Sequence, residues 1–195
     1  MKPSWVFASN NPHKLEEVRS ILGSQVEILS LSDIMCQVNP DEVGVTFAEN
    51  ALIKCEAVAE FTGLPVLADD SGLSVTALNG LPGVKSARFA GEEASDSDNL
   101  FKLLAELKEK ENKRAHFTAC ICLYIANQKP LFFEGTVHGI IIEEPRGGEG
   151  FGYDPVFIPD GYELTFAELG AEVKNTLSHR KMALNKLLAS GVLNL

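Results

Sequence analysis

The chain has 195 residues, of which 45% are hydrophobic and 23% charged, and its formal net charge is −10. This composition is typical of a globular protein with a real core and excludes an intrinsically disordered chain. The negative charge argues against binding along a nucleic-acid backbone, because that affinity comes from lysine and arginine on phosphates. No apolar run reaches the roughly 20 residues that a membrane helix needs, and the N-terminus lacks a signal-peptide pattern. We therefore expect neither a nucleic-acid nor a membrane partner.

The four cysteines have neither C-x-x-C spacing nor the spacing of a zinc site. We predict that they are buried, reduced thiols of a cytoplasmic protein rather than metal ligands or disulfide partners. They are Cys36, Cys55, Cys120 and Cys122.

The first motif joins a strand to a helix. Residues 5–8 are an apolar strand, residues 9–14 are the polar run Ser9-Asn10-Asn11-Pro12-His13-Lys14, and an amphipathic helix follows. Proline suits the first turn of a helix, and this layout presents backbone N–H groups and a helix dipole to an anion. Lys14, with Ser9 and Asn10, would complete a phosphate cradle. An ordinary capped helix with a solvated lysine is the alternative, and both interpretations stay open.

A second helix is predicted from Thr46 to about residue 61. Thr46 and Glu49 have capping-box spacing, and Gly63 ends the pattern. Glu42 precedes this helix and Lys54 lies near its middle. Glu42 is either a solvated turn residue or, if it faces the acidic pair described next, a ligand for a hard cation.

The most informative stretch is residues 65–73, in which a short apolar strand meets Asp69, Asp70, Ser71 and Gly72. Adjacent acids repel each other, so we expect the strand to end there and a site to begin. A pair of carboxylates is the kind of oxygen ligand that Mg²⁺ accepts. The alternative is a simple turn in which Gly72 supplies a positive φ.

The remaining predicted elements follow from hydrophobic periodicity and turn residues. Arg88, in a glycine-punctuated loop over residues 80–91, either clamps a phosphate or pairs with a surface acid. The strands are predicted over residues 26–31, 73–78, 117–126, 131–142 and 156–158, and a helix over residues 99–110.

The second informative stretch is a glycine-rich loop over residues 146–155. Four glycines surround Phe151 and Tyr153, which gives a flexible backbone carrying aromatic faces that suit stacking on a nucleobase. The spacing of a dinucleotide-binding fingerprint is absent. The alternative is a turn with one aromatic side chain in the core.

The last motif begins a C-terminal helix. Ser178 is a good N-cap, and His179, Arg180 and Lys181 follow it. Cations in a first turn oppose the helix dipole, so the sequence either tolerates that cost or uses these side chains.

Taken in order, these motifs resemble the inosine/xanthosine triphosphate pyrophosphatase family, whose enzymes clear deaminated purine nucleotides. The resemblance spans nearly the whole chain, and one departure is Ser9, where many relatives carry threonine. It is carried by Ser9-Asn10-x-x-x-Lys14, Glu42, Ala68-Asp69-Asp70-Ser71-Gly72-Leu73, Pro82-Gly83-x-x-Ser86-Ala87-Arg88, Gly150-Phe151-Gly152-Tyr153-Asp154-Pro155 and Ser178-His179-Arg180.

The resemblance implies an α/β fold: an elongated mixed β-sheet flanked by helices, forming over residues 1–195 a single two-lobed domain with a central substrate cleft. It implies hydrolysis of ITP, dITP and XTP to the monophosphate and pyrophosphate, with Mg²⁺, by a cytoplasmic homodimer. Glu42 and Asp70 would bind the metal, and Asp70 would also be the catalytic base. The residues that would bind the substrate are Ser9, Asn10, Asn11, Pro12, His13, Lys14 and Lys54 at the phosphates, Ser71, and Phe151, Gly152, Tyr153, Asp154, Lys174, His179 and Arg180 at the base.

Two other functions share part of this pattern. A Maf-like nucleotide pyrophosphatase would act on other bases and would not need the Ser178-His179-Arg180 element. A non-catalytic sensor would bind the triphosphate without turnover, which the intact acidic cluster argues against.

Overall fold

Residues 2–192 are described by the structure, a computed structural model, except for the side chains of residues 171, 172 and 175. The described strands are β1 Ser4–Phe7, β2 Glu27–Leu29, β3 Val66–Val75, β4 Arg114–Tyr124, β5 Leu131–Ile141 and β6 Phe157–Pro159. The described α-helices are α1 Pro12–Leu22, α2 Phe47–Thr62, α3 Asp96–Leu107, α4 Phe166–Leu177 and α5 His179–Ala189. Short 3₁₀ helices cover Thr76–Leu78, Gly83–Arg88 and Asp154–Val156.

The strands described within residues 2–192 form one sheet in the order β2-β1-β3-β4-β5-β6. β1 pairs in parallel with both β2 and β3, whereas β5 and β6 pair antiparallel. The sheet is therefore mixed and flanked by helices, which confirms the predicted fold class. No helix in the described part of the chain is long and apolar enough to cross a membrane.

Local capping explains where the helices begin. The side chain of Thr46 accepts from the Glu49 amide, and the Glu49 carboxylate accepts in return from the Thr46 amide. Gly63 ends α2 in the left-handed conformation at φ 66°. The predicted helix from Thr46 is thus confirmed. α3 begins at Asp96 rather than at residue 99, because Ser95 caps it in a second box with Asp98.

The structure differs from the sequence-based prediction of elements in two places. β3 does not end at Asp69 but runs unbroken from Val66 to Val75, with Gly72 inside it instead of in a turn. Neighbouring residues of a strand point to opposite faces, so the two acids do not share one environment and each meets its own cation. The sequence interpretation also missed α4, although Thr165 and Glu168 form a capping box; the non-helical Gly170, at φ 75°, interrupts its pattern.

The chain divides into two compact units. The described residues of the first unit are 2–70, 119–135 and 180–192, and those of the second are 71–118 and 136–179. The first unit has two apolar clusters. One includes Phe7, Val18, Leu22, Leu67 and Leu184, and the other includes Val6, Ala51, Cys55, Val66 and Ala68.

The second unit has a core of its own, in which Leu73, Leu103, Phe117, Phe157 and Phe166 are buried. Phe117 contacts Phe157 edge-to-face, with ring centroids 4.8 Å apart. Such aromatic pairs add to the stabilisation that burial of the rings already provides.

All four cysteines are free and buried, as the sequence predicted. Burial raises the pKa of the Cys120 thiol to about 12, so this side chain behaves as a small apolar group.

Candidate functional site

Asp69 and Asp70 are neighbours on β3 whose side chains point to opposite faces of the sheet. Leu67, two residues before Asp69, packs in the cluster that contains residues of α1 and α5. Ala68, two residues before Asp70, packs in the cluster that contains residues of α2. The first unit therefore carries one carboxylate on its α1/α5 face and one on its α2 face.

Asp69 is fully buried and is surrounded by cations. Its Oδ2 accepts from Lys14 Nζ at 2.8 Å and from Arg180 Nη2 at 3.0 Å, and Arg180 Nη1 donates to Glu17. Burial alone would raise the pKa of the Asp69 carboxyl, but the charges of Arg180 and Lys14 outweigh it and hold the pKa well below its usual range. Asp69 is therefore a buried, ionised acceptor that connects β3 to α1 and α5.

Lys14 is held at the start of α1 by the turn that precedes it. Asn11 caps the helix, accepting from the His13 and Lys14 amides at 3.0 and 3.2 Å, and Pro12 occupies the first turn. Ser9 Oγ accepts from the Asn11 amide at 3.2 Å. Burial lowers the pKa of the Lys14 ammonium in spite of the Asp69 charge. Lys14 is thus paired with a buried carboxylate, so the solvated lysine of the alternative is wrong, whereas its capped helix is present.

Asp70 faces a different set of partners, supplied by α2. Asp70 Oδ1 accepts from Lys54 Nζ at 3.1 Å, and its Oδ2 accepts from Asn50 Nδ2 at 3.2 Å. Burial raises the pKa of the Asp70 carboxyl; the charges of Lys54 and Lys14 oppose this rise, while that of Glu42 adds to it. Asp70 is therefore a better proton acceptor than an ordinary aspartate.

Lys54 brings Glu42 and Asp70 to one point. Its Nζ donates to Glu42 Oε1 at 3.2 Å and to the Asp69 carbonyl at 3.0 Å, besides Asp70. Burial would lower the pKa of Lys54, but the charges of Asp70 and Glu42 dominate and raise it. Glu42 is therefore not simply a solvated turn residue, since it shares an ammonium with the acidic stretch.

The arrangement of Glu42 and Asp70 fits a weakly chelated Mg²⁺. Among residues 2–192, no group of three or more histidine, cysteine, aspartate or glutamate side chains is arranged to hold a metal ion. Mg²⁺ does not need such a group, because it keeps several waters and commonly binds through one or two carboxylates plus substrate phosphates. Glu42 and Asp70, which share the Lys54 ammonium, supply the two carboxylates that such a site needs.

In the second unit, Asp154 and Lys174 form a buried ion pair beneath an aromatic ring. Lys174 Nζ lies 2.7 Å from Asp154 Oδ2, and both side chains are at most 5% exposed. The same ammonium lies 4.3 Å from the centroid of the half-buried Phe151 ring, within the range of a cation–π contact. Asp154 Oδ2 also accepts from the Phe151 amide at 2.9 Å.

The other predicted substrate-binding residues of the second unit include Tyr153, His179 and Ser71. Tyr153 is buried, and its hydroxyl donates to the Ser86 carbonyl at 2.8 Å, so Tyr153 is the aromatic of this loop that packs in the core. The buried His179 ring stacks on Phe117, with centroids 5.0 Å apart and planes 12° apart. Ser71 is half-buried on β3, directly after Asp70.

In the first unit, the structure brings Lys14 and Arg180 to Asp69 and, separately, Lys54 to Glu42 and Asp70. In the second unit it brings together Phe151, Asp154 and Lys174. Arg180, grouped with the base-binding residues by its motif, has its described bonds with Asp69 and Glu17; its contact with a base stays a prediction, as do the other site roles.

Sequence reasoning missed three residues that support the site. Asn50 lies four positions before Lys54, which places both on one face of α2 and was a usable signal. Glu17 and Asp96 gave no such signal, since their partners lie 163 and 56 residues away in the chain.

Arg88, for which the sequence left two interpretations open, has its Nε 3.9 Å from Oε1 of the exposed Glu92.

Comparison with known proteins gives a consistent result. The family model described as Ham1 matches residues 5–190. A protein of Flavobacterium psychrophilum named dITP/XTP pyrophosphatase is 47% identical over 94% of this chain and 96% of its own length. A protein of Bacillus subtilis with the same name is 46% identical over 93% of each chain.

Solved structures agree with this result. The Ham1 protein of Staphylococcus aureus is 41% identical and superposes with a TM-score of 0.87, covering 96% of this chain and 97% of the other. A HAM1 protein of Coxiella burnetii is 39% identical with a TM-score of 0.89, covering 96% and 98%.

Proposed function

The chain belongs to the Ham1 family, and from this membership we propose that it hydrolyses dITP, ITP and XTP to the nucleoside monophosphate and pyrophosphate, which removes deaminated purines from the nucleotide pool. The relatives named dITP/XTP pyrophosphatase support this substrate class. The observation that carries the chemistry is the contact of Lys54 with both Glu42 and Asp70, because it combines a carboxylate base with the charges that a triphosphate requires.

Asp70 acts as the general base on the attacking water. A base works best when its pKa approaches the working pH, and burial moves the pKa of Asp70 in that direction. Asn50 and Lys54 hold one carboxylate oxygen each, which fixes the direction in which Asp70 accepts the proton. The water oxygen bonds to phosphorus, the anhydride between the α- and β-phosphates breaks, and pyrophosphate leaves.

Lys14 and Lys54 neutralise the phosphate oxygens, on which negative charge is concentrated in phosphoryl transfer. Both ammonium groups are largely buried, with side chains 15% and 12% exposed. They are held by carboxylates before substrate arrives, so little reorganisation is needed.

We propose Mg²⁺ as the cofactor, held by Glu42 and Asp70. When bound, such an ion polarises phosphoryl oxygens and neutralises their charge. In the structure the Lys54 ammonium lies between the two carboxylates. Its long, flexible side chain would let the ammonium shift toward the phosphate oxygens when the metal binds.

The residues proposed to bind the base are those of the family motifs, among them Phe151, Lys174, His179 and Arg180. Phe151 provides a stacking face, worth roughly 1–3 kcal/mol per base. Hypoxanthine and xanthine carry an acceptor oxygen at C6, whereas adenine carries a donor amino group. Donors from Lys174, His179 or Arg180 would be left unpaired by adenine, and that penalty gives strong discrimination.

We also propose a cytoplasmic homodimer, as the resemblance implies. Light scattering coupled to size-exclusion chromatography measures the mass of the protein in solution. A mass near twice the 21.1 kDa of one chain is expected, and a mass of one chain contradicts the dimer.

The experiment that tests the activity measures pyrophosphate and orthophosphate release from ITP, dITP, XTP, GTP and ATP, with and without Mg²⁺. We expect metal-dependent release of pyrophosphate, with strong preference for the deaminated purines. Orthophosphate release would move the cleaved bond to the terminal phosphate, and preference for another base would favour a Maf-like specificity. Binding without turnover of any nucleotide would indicate a sensor.

A further inference from the structure

The backbone on both sides of Phe151 is held by carboxylates. The Phe151 amide donates to Asp154 Oδ2 at 2.9 Å, and the Gly152 amide donates to Asp96 Oδ2 at 2.8 Å. Because each peptide group is planar, these bonds orient the two planes that meet at the Phe151 Cα. The two carboxylates thereby set the φ and ψ of Phe151, and with them the direction in which its ring leaves the chain.

This loop needs an external support. Gly150 and Gly152 both have positive φ, 83° and 61°, and glycine loses more conformational freedom on ordering than any other residue. Asp154 is only three residues from Phe151 and moves with the loop. Asp96 lies 56 residues before Gly152, at the first position of the twelve-residue helix α3. Asp96 therefore connects the loop to a rigid element.

We propose that Asp96 is a positioning residue for base recognition: by accepting from the Gly152 amide it sets the orientation of the Phe151 ring over the Lys174 ammonium. This inference rests on the proposed function, in which Phe151 stacks on the purine. In this proposal Asp96 acts through the Gly152 amide and not on the nucleotide itself, so its loss weakens nucleotide binding and leaves the phosphate chemistry intact.

The helix offers a matched control for this role. Asp96 and Asp98 both lie in the first turn of α3, so both interact favourably with the helix dipole. Asp98 accepts from the Ser95 amide at 2.9 Å and from its hydroxyl at 2.6 Å, within the capping box. Asp98→Ala therefore breaks the capping box but keeps the bond to the Gly152 amide. Asp96→Ala removes the bond to Gly152 and keeps the capping box.

The kinetic test compares Asp96→Ala, Asp96→Asn and Asp98→Ala in hydrolysis of ITP, with inorganic tripolyphosphate as an inhibitor that occupies only the phosphate groups. We expect Asp96→Ala to raise KM for ITP roughly three- to tenfold, the effect of losing one hydrogen bond of ordinary net strength. Its kcat and its inhibition by tripolyphosphate stay at wild-type values. Asp96→Asn restores KM, because the carboxamide oxygen accepts the same bond, and Asp98→Ala lowers only the melting temperature.

Three results would overturn the proposal: an unchanged KM in Asp96→Ala, an equal rise of KM in Asp98→Ala, or no rescue by Asp96→Asn. A readout without substrate comes from hydrogen exchange of the Gly152 amide, followed by NMR. Exchange should be faster in Asp96→Ala and remain slow in Asp98→Ala, and equal exchange in both variants contradicts the bond.

These results stay distinct from a failure of the proposed function. A wild-type protein that hydrolyses none of the nucleotides contradicts the function and leaves the exchange experiment valid. Phe151→Ala serves as the reference for stacking. If that variant keeps the wild-type KM, the stacking role is wrong, whatever Asp96 does to the loop.

Discussion

On one face of β3, Asp69 accepts from Lys14 and Arg180 and its pKa is lowered; on the other face, Asp70 meets Lys54 and Asn50 and its pKa is raised. The two residues are identical and adjacent, so nothing local to them explains the difference. The difference comes from the helices that each face carries. It indicates that the ionised Asp69 holds α1 and α5 to β3 through Lys14 and Arg180. Asp70, in contrast, has the raised proton affinity that the proposed base role requires.

The largest effect is expected from Asp70→Asn. Loss of a general base lowers kcat by about 10²- to 10⁴-fold. Because burial disfavours the ionised Asp70, the neutral amide should leave the melting temperature at neutral pH equal to or above that of the wild type. Pyrophosphate release and thermal unfolding measure the two effects. Retained activity would show that Asp70 is not the base. A large loss of stability would show that Asp70, like Asp69, chiefly stabilises the fold.

Asp69→Asn should act chiefly on stability. The substitution leaves Arg180, which is 1% exposed, and Lys14 without the buried charge that they share. Breaking a buried pair in this way costs about 3–5 kcal/mol. Urea unfolding of the two single variants gives the comparison directly. Equal stability of Asp69→Asn and Asp70→Asn would refute the difference between the two faces.

The pH dependence of stability separates the faces again. A carboxyl with a lowered folded pKa stabilises the protein above its unfolded pKa, about 3.9 for aspartate, and this contribution is lost as the pH falls through the folded pKa. The stability gap between wild type and Asp69→Asn should therefore narrow in acid. For Asp70 the expected trend is opposite. Because its folded pKa is raised, the ionised carboxylate destabilises the folded wild type at neutral pH, and this destabilisation disappears as the pH falls. Melting temperatures from pH 7 to pH 3 test both signs.

Lys54→Met tests whether Glu42 and Asp70, on the α2 face, are the ligands of the proposed Mg²⁺. It removes the one ammonium that contacts both Glu42 and Asp70 in the described part of the chain. If these residues hold Mg²⁺, the metal should raise the melting temperature of this variant more than that of the wild type. Glu42→Gln is the control and should reduce the shift. An equal response of all three proteins would exclude Glu42 and Asp70 as ligands.

The smallest effect is expected from Glu17→Gln on the α1/α5 face. The amide oxygen is still able to accept from Arg180 Nη1, so the change removes charge but keeps shape, at a cost of about 1–2 kcal/mol. Glu16→Gln alters the exposed neighbour on α1 and should cost nothing measurable. If the two variants unfold at the same urea concentration, Glu17 does not support the Asp69 cluster.

The local features of the fold were predictable because their causes lie within a few residues. The capping box of Thr46 and Glu49, the proline in the first turn of α1 and the start of α5 after Ser178 all depend on neighbours in the chain. The motif order also identified Lys14, Lys54, Glu42 and Asp70, which the structure brings into direct contact with carboxylate or ammonium partners.

The sequence by itself determined most local elements and a set of candidate site residues placed on them. Only the tertiary structure decided how the charges divide: Arg180 lies 111 residues from Asp69, and Asp96 lies 56 residues from Gly152. The expected end of β3 was wrong for the same reason, since repulsion between adjacent acids was judged without the cations that neutralise them. Proton affinity and backbone orientation depend on burial and on distant charges, and those exist only once the chain has folded.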